Sequence, residues 1–392
     1  MTLTTVFGGL PKVFWLLFSG QLVNRFGAVV LPFLVFYLGA KGFSPAEIAG
    51  VMSAYGLGGL GGQPIGGYLA DRFGRKLTLI GGLLVTAACL VLIGLASSLV
   101  WLVTGAVALG LVGDVYRPAA SAMVAETTPG PQRAKAFGLM HWAINVGAAI
   151  SGAAAGLLLA HGYWVLVALD AGSSVVFAVI VAFGVPGDRP AARARRERAG
   201  YGVALKDPAL VGSVLIILVG LTIYGQVKYG LPLKLAADGL PPSLFGLLIT
   251  LNAGIVVLFQ PVAVAWLSRY RRLPVLGVSI AVIGVGLALT GVADHAWQYV
   301  VTVLIWSAGE LGMAAVEAVV IADLTPEGSH GTYQALYGWA AAVSRFAAPA
   351  LGALLYGSGL LWWSCAALGL GCLALALVLM PSFARRAALI AG

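Results

Sequence analysis

The stretch QPIGGYLADRFGRK, Gln63 to Lys76, changes character halfway along. Its first eight residues are small or apolar apart from Gln63 and Tyr68, and then Asp71, Arg72, Arg75 and Lys76 crowd into six positions of a chain that is only 9% charged. The residues on either side return to an almost wholly apolar pattern. A knot of charge between two apolar runs of about 20 residues reads as a short turn outside a bilayer joining two membrane helices. Gly66 and Gly67 suit a close helix approach, and Gly74 suits the tight turn itself.

The same alternation runs through the chain. With 392 residues, 60% of them hydrophobic, and a mean hydropathy of +0.98, the composition excludes an ordinary soluble domain. Twelve spans are predicted, near 11–39, 46–70, 76–97, 100–125, 132–160, 163–185, 208–236, 242–268, 273–292, 297–322, 330–357 and 360–381. The first is long and lacks a small-residue cleavage site, so it is expected to stay as a helix. One connection stands apart, the polar and basic GVPGDRPAARARRERAGYGVALKD between spans six and seven. It divides the chain into an N-terminal bundle (1–187), a linker (188–207) and a C-terminal bundle (208–392).

Basic residues set the orientation. Alternate loops hold Arg72, Arg75 and Lys76, then Arg133 and Lys135, then the arginines of the linker, then Arg269, Arg271 and Arg272, and last Arg385 and Arg386. The opposite side keeps Lys41 and Lys234. That bias places both termini in the cytoplasm. It also explains the net charge of +9 through anionic lipid headgroups rather than nucleic acid.

The halves are copies of each other at an offset of 197. Gln63-Pro64 aligns with Gln260-Pro261, VAETTP ending at Pro129 with IADLTP ending at Pro326, and Trp142 with Trp339. A tandem six-helix duplication follows. The predicted fold is an all-α polytopic membrane protein of two pseudo-symmetric six-helix bundles.

Enzyme chemistry finds no footing. Cys89, Cys365 and Cys372 lie in apolar runs as packing residues, the four histidines are scattered, and no metal-ligand spacing occurs. No phosphate-cradling loop is followed by a Lys, and no nucleophile has a placed base.

The run from Gly67 to Lys76 resembles the signature loop between helices 2 and 3 of the major facilitator superfamily, and the duplicated twelve-span plan fits that family over essentially the whole chain. GDVYRPAASAMVAETTP, Gly113 to Pro129, resembles helix 4 of bacterial drug–proton antiporters, where an intramembrane Arg matches Arg117. NRFGAVVLPFLVFYL, Asn24 to Leu38, resembles helix 1 of the same branch. The helix 5 signature is partial: Gly147, Gly152 and Gly156 are present as a packing stripe, without the usual Gly-Pro pair. Spans 1 and 5 are also similar to those of proton-coupled peptide transporters, except that Asn24 stands where that family carries a Glu.

The resemblance implies that the first helix of each three-helix repeat lines a central cavity. Charges buried in a bilayer cost about 2.5–3.5 kcal/mol each on the lenient scale. Arg25, Asp114, Arg117, Lys228, Glu310 and Glu317 fall on those four helices, while Asp170 and Arg345 fall elsewhere. Asn24, Tyr116, Tyr224 and Gln226 are polar companions for a substrate. Substrate-cavity candidates are therefore Asn24, Arg25, Tyr116, Arg117, Tyr224, Gln226, Lys228 and Arg345. Asp114, Glu310 and Glu317 are candidates to carry a proton, with Arg117 and Arg345 as counter-ions, Arg345 opposite Glu310. The plainer role for the same charges is mutual neutralisation that fixes helix packing. Asp170 is expected toward the outer surface, in a structural or vestibule role.

The resemblance further implies that Asp71 faces the N-terminus of span 11 and that Arg75 reaches Glu126. With Gly67, Arg72 and Gly74 these residues would latch the two halves in an outward-open state; a topology signal is the simpler role.

The expected function is secondary active transport in the bacterial inner membrane by a monomer, driven by the proton gradient without a cofactor. Its partners are a small-molecule substrate, protons and lipids. Efflux of amphipathic molecules or drugs leads. Symport of a peptide, amino acid or sugar is the first alternative, and a non-transporting receptor or lipid-handling protein on the same scaffold is the second.

Overall fold

The computed structural model describes residues 9–113, 115–128, 132–187, 206–326 and 330–391. Its helices fall into twelve successive segments: α1a (Lys12–Gly27) with α1b (Val30–Ala40), α2 (Pro45–Phe73), α3 (Arg75–Leu95), α4a (Leu99–Gly113) with α4b (Tyr116–Thr127), α5 (Arg133–Leu158), α6 (Tyr163–Gly184), α7a (Pro208–Tyr224) with α7b (Gly230–Ala237), α8 (Pro242–Leu267), α9 (Arg272–Val292), α10 (Ala296–Asp323), α11 (His330–Tyr356) and α12 (Leu360–Ala391). Local chemistry sets several ends. Ser44 and Glu47 form a reciprocal capping box at the start of α2, with Pro45 in the first turn. Asp207 caps α7a through the amides of Ala209 and Leu210, and Arg386 of α12 bonds that same carboxylate at 2.9 Å. Gly74, at φ 89°, makes the turn between α2 and α3 that the opening stretch predicts.

Ten of the segments are long and apolar enough to cross a membrane by themselves. The other two are α2 and α4, the latter described in two pieces on either side of Asp114. Added Cβ atoms on Gly58, Gly62 and Gly66 would lie 2.1, 2.7 and 2.4 Å from backbone oxygens of Val107, Leu111 and Val115, so α2 rides directly on the α4 backbone. Small residues at a spacing of four replace bulky apolar ones where backbones touch. Gly67, expected in the same role, has nothing within 4 Å of an added Cβ; it points one residue round the helix, away from α4.

Two spans predicted as continuous are broken, α1 at Ala28–Val29 and α7 at the 3-10 turn Gly225–Val227. Each break precedes a proline (Pro32, Pro232) whose missing N–H withdraws the bond a carbonyl four residues earlier would accept. Proline alone does not break a span, because α2 and α8 continue through Pro64 and Pro261. The twelfth helix also outruns its predicted end at 381, passing through Pro381 to Ala391.

The halves meet along α2–α11 and α5–α8. Ser53 Oγ donates to the Phe346 carbonyl at 3.1 Å, and Thr250 Oγ1 to the Ala149 carbonyl at 2.8 Å. These bonds are one bond repeated: the 197 offset carries Ser53 onto Thr250 and Ala149 onto Phe346. Nearer the end remote from the basic loops, Tyr229 Oη donates to the Pro45 carbonyl at 2.7 Å. Phe245 of α8 packs there against Phe33 and Phe36 of α1b, with ring centroids 5.3 and 5.5 Å apart. Gly152 and Gly156 close the same seam against Gly246 and Ser243, while Gly147 packs on Arg25. The end remote from the basic loops is thus sealed.

Candidate functional site

Beneath the seal lies a cavity of about 560 Å³, bordered by both halves. That volume is in the range of small-molecule sites. The helix breaks shape it. Where α1 is interrupted, the amides of Val29 and Val30 lack helical acceptors, and Asp170 Oδ2 on α6 accepts from both at 3.2 and 3.1 Å. A carboxylate at a helix N-terminus deep in a membrane satisfies orphan donors and meets the positive end of the dipole. Asp170 is buried and borders the cavity, and its bonds to the α1 break give it a structural role. Pro32 is the sequence signal that could have located it.

Among the sequence candidates, Arg25, Arg117, Lys228 and Arg345 all border the cavity, as do Asn24, Tyr116 and Tyr224. Asn24 is committed to its own half: its Nδ2 donates to Ser174 Oγ at 2.9 Å, and Tyr116 Oη donates to its Oδ1 at 3.4 Å. Gln226 departs from expectation. It is buried, and its Nε2 donates to the Ala348 carbonyl at 2.7 Å, so it straps the α7 break to α11. Of the residues at that break, Gly225, Lys228 and Tyr229 border the cavity, and Lys228 is the charged one.

The acids of α10 sit behind the cavity wall. Glu310 accepts from Tyr224 Oη at 2.7 Å and from Asn252 Nδ2 at 2.5 Å, and Lys228 lies within its electrostatic reach. Neutral donors therefore hold the carboxylate where Arg345 was expected as counter-ion. Arg345 instead runs along α2, its guanidinium 3.6–3.8 Å from where a Cβ on Gly59 would be. Glu317 accepts from Tyr337 Oη at 2.9 Å through one oxygen, while its buried Oε2 has no bonding partner among the described residues. Asn252 and Tyr337 were not singled out in the sequence, although the repeat offers a signal: Asn252 is the counterpart of Tyr55, which also borders the cavity. Asp114 and the side chain of Asp71 lie outside the described residues.

At the basic end, Arg75 of α3 forms an ion pair with Glu126 of α4b. Both residues belong to the N-terminal half, so this pair does not itself tie the halves together as the latch reading required. It is present while the end remote from the basic loops is closed. The offset of 197 carries Arg75 onto Arg272 and Glu126 onto Asp323, and that second pair is also formed. Arg72 of the same loop donates to Tyr68 Oη at 2.8 Å on its own helix.

Comparison with known proteins follows from this architecture. The family model described as Major Facilitator Superfamily matches residues 17–237 and 227–388. A Na(+), Li(+), K(+)/H(+) antiporter of Planococcus maritimus is 25% identical over 358 residues, covering 82% of this chain and 84% of that protein. The multidrug resistance protein MdtH of Aeromonas hydrophila is 28% identical over 227 residues, 57% of each. Among solved structures, a peptide transporter POT in complex with sulfate superposes with a TM-score of 0.79 at 19% identity, covering 98% of this chain and 97% of the other.

Proposed function

The chain belongs to the major facilitator superfamily, and from that premise we propose that it is a proton-coupled exporter of amphipathic small molecules in a bacterial inner membrane. The supporting observation is Glu310. It is a carboxylate behind the cavity wall, held by neutral donors from α7 and α8 and within reach of Lys228. A group so placed gains or loses a proton at little cost in geometry, because Tyr224 and Asn252 can bond either form. Rocking of the halves about the cavity alternates its access. A proton returning inward supplies about 2.3 kcal/mol per 100 mV of membrane potential. The apolar part of the wall, including Leu31, Met52 and Leu221, holds the amphipathic body of the cargo. The protein works as a monomer without a cofactor. The loop from Gly67 to Lys76, with Arg75 on Glu126, steadies the cytoplasmic ends while the outer seal opens and closes.

The test uses the full chain in proteoliposomes with amphipathic fluorescent dyes of negative, zero and positive charge, ethidium among the last, under an imposed pH gradient. Gradient-driven dye movement with a matching proton flux is expected. Glu310→Gln is expected to lose the gradient-driven component by at least about tenfold while passive dye exchange across the protein continues. Equal gradient-driven rates for Glu310→Gln and the parent would remove Glu310 from coupling.

A second reading, proton-coupled uptake of peptides, draws on the cavity holding cations near a carboxylate, a match for the two ends of a zwitterion. Counterflow of labelled dipeptides, compared with dye efflux, separates the two.

A further inference from the structure

Four cationic side chains border the cavity, Arg25 and Arg117 from one half and Lys228 and Arg345 from the other. Against them, the bordering carboxylate among the described residues is Asp170, and its Oδ2 is already engaged by two backbone amides. Glu310 lies behind the wall with both oxygens bonded. Lys228 stands out. It is exposed within the cavity, lies in the electrostatic field of Arg345, Arg25 and Arg117 as well as Glu310, and its ammonium makes no hydrogen bond or ion pair with a described residue. Arg25 Nε is likewise buried without a hydrogen-bond partner.

A lysine held at membrane depth is expensive unless it is used. The 3-10 turn that exposes Lys228 breaks a helix and anchors the residues beside it, with Gln226 bonded to α11 and Tyr229 to α2. The ammonium is therefore presented by a braced backbone rather than by a loose stem. A lining that is net positive among the described residues disfavours cationic cargo, including an alkali metal ion.

We propose that the cargo is an organic anion, a small amphipathic molecule carrying a carboxylate or similar oxyanion, and that Lys228 with Arg25 binds that group across the two halves. This rests on the transport role proposed above and names the substrate class of the same cavity. The ammonium and the guanidinium donate charge-assisted bonds to the oxyanion, and the apolar wall receives the rest of the molecule. Because Arg25 belongs to one half and Lys228 to the other, the bound anion also cancels repulsion between them. Cargo thereby favours closing the cavity, whereas a neutral analogue leaves the repulsion in place.

The experiment measures binding to the purified full chain by thermal stabilisation and by competition. It uses acid–amide pairs: benzoate with benzamide, indole-3-acetate with indole-3-acetamide, and octanoate with octanamide. Each acid is expected to bind at least about tenfold more tightly than its amide. That preference is expected to vanish in Lys228→Gln and to survive in Lys228→Arg, which keeps the charge. Equal binding of acids and amides, no binding of any acid, or an unchanged preference in Lys228→Gln overturns the proposal. Dye assays separate the two levels. Proton-coupled ethidium export without acid binding keeps the transport reading and rejects the anion site, while acid binding without proton-coupled movement of any tested solute does the reverse.

Discussion

Asp170 shows how one side chain can hold a functional feature open. The break in α1 takes the helical acceptors from two amides at membrane depth; the Val29 amide donates to the Gly27 carbonyl at 2.7 Å as well, and the Asp170 carboxylate receives both. Losing that acceptor leaves the buried Val30 donor unsatisfied, at about 1–3 kcal/mol. Asp170→Ala is accordingly expected to lower stability in detergent by that amount, read as an earlier unfolding midpoint. Asp170→Asn, which keeps one acceptor oxygen, should lose less. Equal melting of all three proteins would show that the break needs no cap. The sequence marked Asp170 as a charge in an apolar span with a structural or vestibule role but did not show what it binds, because its partners are backbone amides about 140 positions away. Glu310 was legible as a buried acid for a similar reason. Its donors, Tyr224 and Asn252, come from helices 86 and 58 positions distant, and no spacing rule reaches that far.

At the scale of elements, the duplicated ion pairs carry a prediction. Arg75–Glu126 joins α3 to α4b, and Arg272–Asp323 joins α9 to α10 at the equivalent place in the second half. Partly exposed pairs contribute at most about 1 kcal/mol each, so their worth lies in positioning. Arg75→Ala and Arg272→Ala are expected to slow proteoliposome transport to a similar degree with little change in melting. The exchange Arg272→Asp with Asp323→Arg should recover much of the loss. A large defect in one half with none in the other would mean that the two pairs have diverged in role. Span positions were readable from hydropathy almost to their ends, and the glycine-rich α2 declared its close packing. The helix breaks were not anticipated. Proline is present at each break but also inside continuous helices, and only the surrounding contacts decide whether a carbonyl without its helical donor is tolerated.

On the scale of the whole molecule, the end remote from the basic loops is shut by α1b, α5, α7b and α8, while the cavity lies between the halves beneath. Thr250 Oγ1 lies 2.8 Å from the Ala149 carbonyl across the seam, so thiols placed at these two positions are within reach of each other or of a short bis-methanethiosulfonate. The double substitution Ala149→Cys with Thr250→Cys is expected to be cross-linked through disulfides, directly under oxidation or by that reagent, and to stop turnover, with recovery on reduction. The native cysteines are buried, so labelling of the introduced pair stays readable. Undiminished transport in the oxidised, cross-linked protein would refute rocking about this seam.

Composition and periodicity were enough for the broad outline. Twenty-residue apolar runs, basic loops on one side and an internal offset of 197 are local or repetitive signals, and they determined an all-helical membrane protein of two related halves. The folded chain alone decided what each buried charge does. Gln226 became a strap, Asp170 a cap, Arg345 a neighbour of α2 and Lys228 a cavity cation, because each role depends on which distant backbone or side chain comes within about 3 Å. Hydrogen bonds act over that distance and hydropathy over a whole span, so the plan was written in the sequence while the site emerged only from packing.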